Sequence, residues 1–81
     1  MNNFIPVTVH GTIGRDGTPS YESSSYAAVV AVDWIGFAYR TEAEDLDGKP
    51  VVVLRLRNGT GVIVEPTSEL LAAINLTPPA A

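Results

Sequence analysis

The stretch that decides the fold is VVVLRLRNGTGVIVE, residues 51–65. Its Asn58-Gly59 pair stands between two runs of β-branched and apolar residues. That arrangement is typical of a two-residue type I′ turn, in which both central residues take positive φ. The sequence therefore predicts an antiparallel hairpin in which Leu54 lies opposite Ile63.

This predicted register divides the hairpin into two faces, because successive strand side chains point to opposite sides. Leu54, Leu56 and Ile63 would share one face, and Val51, Val53, Arg55, Arg57, Val62 and Val64 would share the other. The second face is then apolar at its base and cationic near its tip.

A short helix is expected directly after the hairpin. Thr67 or Ser68 can cap its N-terminus, and Glu69 suits the positive end of the helix dipole. Its apolar stripe would be formed by Leu70, Leu71, Ala73 and Ile74. The helix would end near Asn75, and residues 77–81 form a tail that is expected to fray.

Residues 4–13 predict a strand with one buried face. Ile5, Val7, Val9 and Ile13 alternate with Pro6, Thr8, His10 and Thr12. Pro6 cannot donate to a sheet ladder, so it favours an edge position or the start of the strand. Residues 14–25 are rich in turn-forming residues and predict a long surface loop, with Asp16-Gly17 as a hairpin tip.

Residues 26–40 are ambiguous between strand and helix. Their β-branched and aromatic residues favour a strand, whereas the alanines and a capping Ser25 favour a helix. We predict a strand over 26–35 that is apolar on both faces and therefore central in the sheet. Gly36 would permit a bulge that separates two consecutive strands. Residues 41–50 predict an acidic turn around Asp47-Gly48.

Together these elements predict an α+β or mostly-β fold. Four to five antiparallel strands would form a small sheet or a partly closed barrel, with one short C-terminal helix. The 81 residues would make a single domain over 1–76. Such a small domain buries only about 60% of its unfolded surface. Because 46% of the residues are hydrophobic and only 17% are charged, we expect further burial in a homo-oligomer or against a partner.

The composition also bounds the function. The chain has no cysteine, which excludes disulfides and thiolate metal ligands. Five basic residues and a net charge of −4 argue against binding to duplex nucleic acid, which needs clustered cations. The N-terminal residues do not match a signal peptide and no apolar run is long enough to span a bilayer, so a cytoplasmic protein is expected.

No catalytic or metal-binding motif is present. His10 is the only histidine and has no nearby nucleophile in sequence, so an exposed strand position explains it. Residues 23–25 are serines outside any nucleophile elbow. The acidic turn at 42–47 has carboxylates, but the glutamate that would complete a calcium loop is missing, because position 56 is leucine. We therefore expect no enzyme activity, no metal and no cofactor.

The candidate binding residues are arginines and tyrosines. Arg55 and Arg57 are two positions apart on a strand and would point the same way, so their guanidinium groups could hold a phosphate or carboxylate. Arg15, Tyr21, Tyr39 and Arg40 could add donors and stacking surfaces. The alternative is that the pair is ordinary solvent-facing arginine whose stems cover apolar surface.

These observations predict a non-enzymatic accessory or regulatory protein, of the size seen in bacteria and phages. It would form a homo-oligomer and dock on another macromolecule. The alternative is a protein that binds or sequesters a small anion or nucleotide through Arg55, Arg57 and the 14–25 loop. An enzyme ranks last.

Overall fold

The computed structural model describes residues 4–43 and 46–74. It contains five strands, one three-residue 3₁₀ turn and one helix. In chain order they are β1 (Phe4–Ile13), β2 (Pro19–Ala31), the 3₁₀ turn (Val32–Trp34), β3 (Ile35–Ala43), β4 (Lys49–Leu56), β5 (Gly61–Val64) and α1 (Ser68–Ala73). The strands form one antiparallel sheet in the order β2-β1-β5-β4-β3. The mostly-β fold is confirmed, and the sheet is open rather than a closed barrel.

The two edge strands, β2 and β3, are consecutive in the chain. In a flat sheet, four interstrand spacings of about 4.8 Å would separate them by about 19 Å. The four residue steps from Ala31 to Ile35 span at most about 14 Å. The sheet must therefore curl so that the connected ends of its two outer strands approach each other across the 3₁₀ turn. The backbone N–H of Arg57, just after β4, donates to the Trp34 carbonyl of that turn at 3.0 Å.

The main hydrophobic core lies between one face of the sheet and α1, and we call this face the helix side. Its buried residues are Ile5, Val7, Val9, Val52, Leu54, Val64, Leu70 and Leu71. The predicted helix cap is confirmed, because Thr67 Oγ1 accepts a hydrogen bond from the Leu70 backbone at 3.2 Å. Leu70 and Leu71 are buried as expected and Ile74 packs against this core, but Ala73 is exposed.

A second, smaller core lies on the opposite face of the sheet, which we call the outer face. Its buried residues are Ile13, Ala43, Val51, Val53 and Ile63, and Tyr21 and Leu46 pack against them. This corrects the prediction that Val51 and Val53 share a face with Val62 and Val64, which belong to the main core. The pair Val51 and Val53 and the pair Val62 and Val64 each pack against other residues of the same chain. Neither pair therefore favours oligomer formation.

The two cores exist because two strands change face partway along. The register shifts in β1 between Val9 and Gly11, so Val9 packs on the helix side whereas Ile13 packs on the outer face. A β-bulge of this kind reverses side-chain alternation. The prediction that Ile13 shares a face with the preceding apolar residues of β1 is therefore wrong. In β3, the bulge expected at Gly36 is confirmed.

The predicted β4–β5 hairpin is present, but its loop has three residues instead of two. Leu56 N–H donates to Thr60 O at 2.7 Å, and Gly59 N–H donates to Leu56 O at 3.0 Å. This is a type I turn followed by a left-handed glycine, with φ of 95° at Gly59. The register is shifted by one residue, so Leu54 lies opposite Val62 and not Ile63.

Two further predictions are wrong for the N-terminal half. Most of the 14–25 segment is not a loop, because β2 begins at Pro19, and Pro19, Ser20 and Tyr21 pair with β1. Residues 22–25 belong to β2 but lie in the register shift and have no partner in the β1 register. Asp16-Gly17 does form the hairpin tip. The prediction of strand rather than helix for 26–35 is largely confirmed, but the strand ends at Ala31 and lies at the sheet edge rather than in its centre. Pro6 lies near the start of β1, in the part that pairs only with β2.

Asp47 and Gly48 both take positive φ in the β3–β4 connection, as expected for a turn there. The predicted frayed tail at 77–81, the helix end at Asn75 and two acidic residues of the 42–47 turn lie outside the described residues. None of the helices in the described ranges has the length and apolar character needed to cross a bilayer.

Candidate binding surface

Two hairpin turns of the same design lie at one end of the sheet. The β1–β2 turn has the sequence Gly14-Arg-Asp-Gly-Thr18, and the β4–β5 turn has the sequence Leu56-Arg-Asn-Gly-Thr60. Gly17 N–H donates to Gly14 O at 2.9 Å, and Gly14 N–H donates to Thr18 O at 3.1 Å, which repeats the pattern of the other turn. We call these the first and second Arg-Asx-Gly-Thr turns.

The aspartate or asparagine side chain stabilises each turn in the same way. Asp16 Oδ1 accepts from the Thr18 backbone at 3.0 Å, and Asn58 Oδ1 accepts from the Thr60 backbone at 3.0 Å. These are local bonds to the residue two positions later, as in Asx turns. In the first turn, the hydrogen bonds from the Thr18 backbone and side chain lower the pKa of Asp16 below its ordinary value.

The two turns are neighbours because β1 and β5 are paired, with Ile13 opposite Gly61. The stem of Arg15 runs along the second turn: its Cγ lies 3.5 Å and its Nε 3.9 Å from where a Cβ on Gly59 would stand. Arg55 reaches the same glycine, and its Nη2 donates to the Gly59 carbonyl at 3.1 Å. Gly59 is therefore the point where Arg15 and Arg55 come together.

Arg57 does not join them, which corrects the prediction that Arg55 and Arg57 point the same way. Arg57 lies in the loop and not in the strand. Its Nε donates to the Asp33 carbonyl at 2.6 Å and its backbone N–H to the Trp34 carbonyl. Arg57 thus holds the 3₁₀ corner between β2 and β3.

An aromatic pair lies beside Arg55 on the outer face. Phe37 and Tyr39 stack with ring centroids 6.0 Å apart and an interplanar angle of 21°. Phe37 lies directly opposite Arg55 in the β3–β4 register. Its side chain is 60% exposed, and that of Tyr39 is 43% exposed. The bulge at Gly36 places both rings here, since without it Phe37 would share the helix side with Ile35.

The remaining predicted residues divide between the two faces. Tyr21 is half-buried and lines a 250 Å³ groove on the outer face together with Tyr39. Arg40 lies opposite Val52, so it is on the helix side, where it lines a separate groove of 500 Å³ with Pro66 and Leu71. The structure thus brings Arg15 and Arg55 together at Gly59, and Tyr21 and Tyr39 together at the outer-face groove. Neither Arg57 nor Arg40 joins either pair.

His10 occupies a more enclosed place than the predicted exposed strand position. It is half-buried at the β1 bulge and lines a 430 Å³ cleft together with Asp47, Lys49, Glu65 and Thr67. The Thr67 hydroxyl already caps α1. Within the described ranges, no group of three or more histidine, aspartate or glutamate side chains could hold a metal ion.

Two features of this surface were not predicted from the sequence. Phe37 was treated only as part of an apolar run, although the bulge expected at Gly36 was the signal that it could change face. The repeat of Arg-Asx-Gly-Thr at 15–18 and 57–60 is visible in the sequence, but its consequence depends on the β1–β5 pairing. That pairing brings Arg15 to Arg55.

The outer edge of β2 is a second exposed feature. This 13-residue strand pairs with β1 on one side and has no strand partner on its other side within the described ranges. It has no charged residue between Ser23 and Ala31. Val29 is 65% exposed, and the neighbouring Phe4 of β1 is 59% exposed. Open, uncharged edges of this kind are templates for pairing with another strand.

Comparisons of the chain with protein-family models, curated proteins and solved structures found no match.

Proposed function

We propose that this chain is a small non-enzymatic interaction protein that associates with copies of itself and docks on another macromolecule. The observation that carries the proposal is the open outer edge of β2. Its unpaired backbone donors and acceptors can form an antiparallel ladder with the same edge of a second copy. Because no charge lies between Ser23 and Ala31, that pairing opposes no like charges.

The side chains beside this edge support the same proposal. Phe4 lies opposite Ala31 and Pro6 lies opposite Val29 in the β1–β2 register. Phe4, Pro6 and Val29 are all exposed, so an apolar strip runs along the open edge. Pairing of two copies would extend the strip across the junction and remove apolar area from water, which favours association.

Light scattering of wild-type protein and of Val29→Lys tests this role. Lysine on an edge strand opposes strand pairing, and the exposed position accommodates it within one chain. We expect wild-type protein to have at least twice the 8.6 kDa chain mass at micromolar concentration, and the variant to have the mass of one chain. Phe37→Lys, on the opposite edge strand, is the matched control and should keep the wild-type mass. A wild-type mass of one chain, or an unchanged mass in Val29→Lys, would contradict the proposal.

A second candidate function is binding of a small anion or nucleotide. The observation that favours it is the meeting of Arg15 and Arg55 at Gly59 on a chain of net charge −4. The hydrogen bond of Arg55 goes to a neutral carbonyl, which does not compensate its charge. Titration with inorganic phosphate tests this candidate, and loss of binding in Arg55→Gln is the expected result.

A further inference from the structure

We infer that the surface formed by Arg15, Arg55 and Phe37 is a nucleotide site, in which the arginines bind the phosphate and the base stacks on Phe37. This inference rests on the second candidate function and names its ligand class. It is independent of self-association through β2.

The position of Phe37 relative to Arg55 is the first argument. Directly opposite residues on antiparallel strands have Cβ atoms about 4.5–5.5 Å apart. The Phe37 and Arg55 side chains therefore leave the outer face from adjacent positions, and the Arg55 stem passes over Gly61 toward Gly59. A ligand that contacts both must carry an anionic group close to a flat apolar group.

The state of the aromatic ring is the second argument. Phe37 is stacked on Tyr39 on one side and is 60% exposed. Tyr39 thus restricts the ring, which then presents a flat apolar surface to solvent. Stacking of a base on an exposed aromatic side chain is worth about fivefold or more in affinity.

The arginine pair supplies the third argument. Arg15 approaches Gly59 from the first turn and Arg55 approaches it from β4. Their planar guanidinium groups match the geometry of phosphate oxygens. A bare anion would use only the arginines and leave Phe37 exposed. A neutral aromatic compound would use only Phe37, so a nucleotide is the ligand class that uses both.

Calorimetric titration with AMP, adenosine and inorganic phosphate tests the inference. We expect AMP to bind at least about tenfold more tightly than either of the other two compounds. Arg15→Gln and Arg55→Gln should each weaken AMP and phosphate binding by about tenfold or more. Phe37→Leu keeps an apolar side chain but removes the ring, so it should weaken AMP binding at least about fivefold and leave phosphate binding unchanged.

Two matched variants serve as controls. Arg40→Gln removes an arginine on the helix side, and Tyr26→Leu removes an exposed ring from β2. Both should bind AMP as wild-type protein does. Circular dichroism shows whether each variant folds. If one does not, AMP-induced shifts of the Arg55 and Phe37 amide signals in the wild-type NMR spectrum replace it, and their absence would overturn the inference.

The outcomes separate the inference from the function on which it rests. Equal binding of AMP and phosphate, or no effect of Phe37→Leu on AMP, would overturn base stacking and leave anion binding intact. No binding of either compound would overturn both. Binding of a single-stranded oligonucleotide without binding of AMP would also overturn the inference, because the site would then recognise a polymer.

Discussion

The two Arg-Asx-Gly-Thr turns have the same backbone design but different surroundings. In both, the glycine takes positive φ, 87° at Gly17 and 95° at Gly59. The first turn projects from the β1–β2 hairpin, and nothing lies within 4 Å of a Cβ placed on Gly17. The second turn joins the two strands β4 and β5, each paired on both sides, and the Arg15 stem lies against its glycine.

The difference shows that a local motif sets the turn but not the role of its side chains. The arginine of the second turn, Arg57, binds two carbonyls of the 3₁₀ corner and helps to hold the curled sheet. The arginine of the first turn, Arg15, lies along its neighbour and helps to form the candidate site. The same motif therefore places its arginine at the 3₁₀ corner in the second turn and at the proposed site in the first.

The largest expected effect comes from the two glycines. Gly59→Val should lower the free energy of unfolding by about 2–3 kcal/mol, because valine resists positive φ and its methyl groups would displace Arg15. Gly17→Val meets the same backbone strain in open space and should cost about 1–2 kcal/mol. Urea denaturation of both variants measures these costs. Equal costs would show that the surroundings of the turns do not matter.

Asparagine provides the control, because it tolerates the left-handed region better than valine does. Gly59→Asn and Gly17→Asn should each be less destabilising than the valine variant at the same position. If the valine and asparagine variants at one position had the same unfolding midpoint, positive φ would not explain why that position is glycine.

The hairpin also shows what could and could not be predicted from the sequence. Asn58-Gly59 located the turn, and Asp16-Gly17 located the other one. The predicted two-residue loop was wrong because the backbone N–H of Arg57 does not pair across the hairpin. It donates instead to the carbonyl of Trp34, a residue 23 positions earlier in the chain. Local turn preference carries no information about such a long-range partner. The resulting one-residue shift in the β4–β5 register moved every β5 side chain to the face opposite the predicted one.

An intermediate effect is expected from the two turn arginines. Arg57→Ala removes the hydrogen bond to Asp33 O and should lower the free energy of unfolding by about 1 kcal/mol. Arg15→Ala should change it by less than about 0.5 kcal/mol, as for most exposed substitutions. Thermal and urea denaturation check both values. If Arg15→Ala lowered the free energy of unfolding more than Arg57→Ala did, the roles assigned to the two arginines would be reversed.

The smallest expected effect is a pH dependence that only the first turn has. Asp16 has a lowered pKa in the folded state, so its carboxylate favours folding above the ordinary pKa of 3.8, and this contribution is lost as pH falls through the folded-state pKa. Asn58 in the second turn does not titrate. The stability difference between wild-type protein and Asp16→Asn should therefore shrink on acidification, measured as urea midpoints at about pH 6 and about pH 3. A pH-independent difference would contradict this.

The edge strand and the candidate site were predictable only in part. The polar run over 20–25 was assigned to a loop because it is rich in serine and has little apolar character. Its first two residues, Ser20 and Tyr21, instead pair with β1, and no local pattern encodes that pairing. The arginine pair was assigned from strand alternation within one hairpin. The arginine that lies near Arg55 is Arg15 and not Arg57, because β1 pairs with β5. No local sequence pattern encodes that pairing.

The central claim is that the two turns divide structure and binding between Arg57 and Arg15. AMP titration of Arg15→Ala and Arg57→Ala tests it most directly, with circular dichroism to confirm that both are folded. We expect Arg15→Ala to bind AMP at least about tenfold more weakly than wild-type protein, and Arg57→Ala to bind it with unchanged affinity. Wild-type AMP affinity in Arg15→Ala, together with weakened AMP binding in Arg57→Ala, would contradict this division of roles.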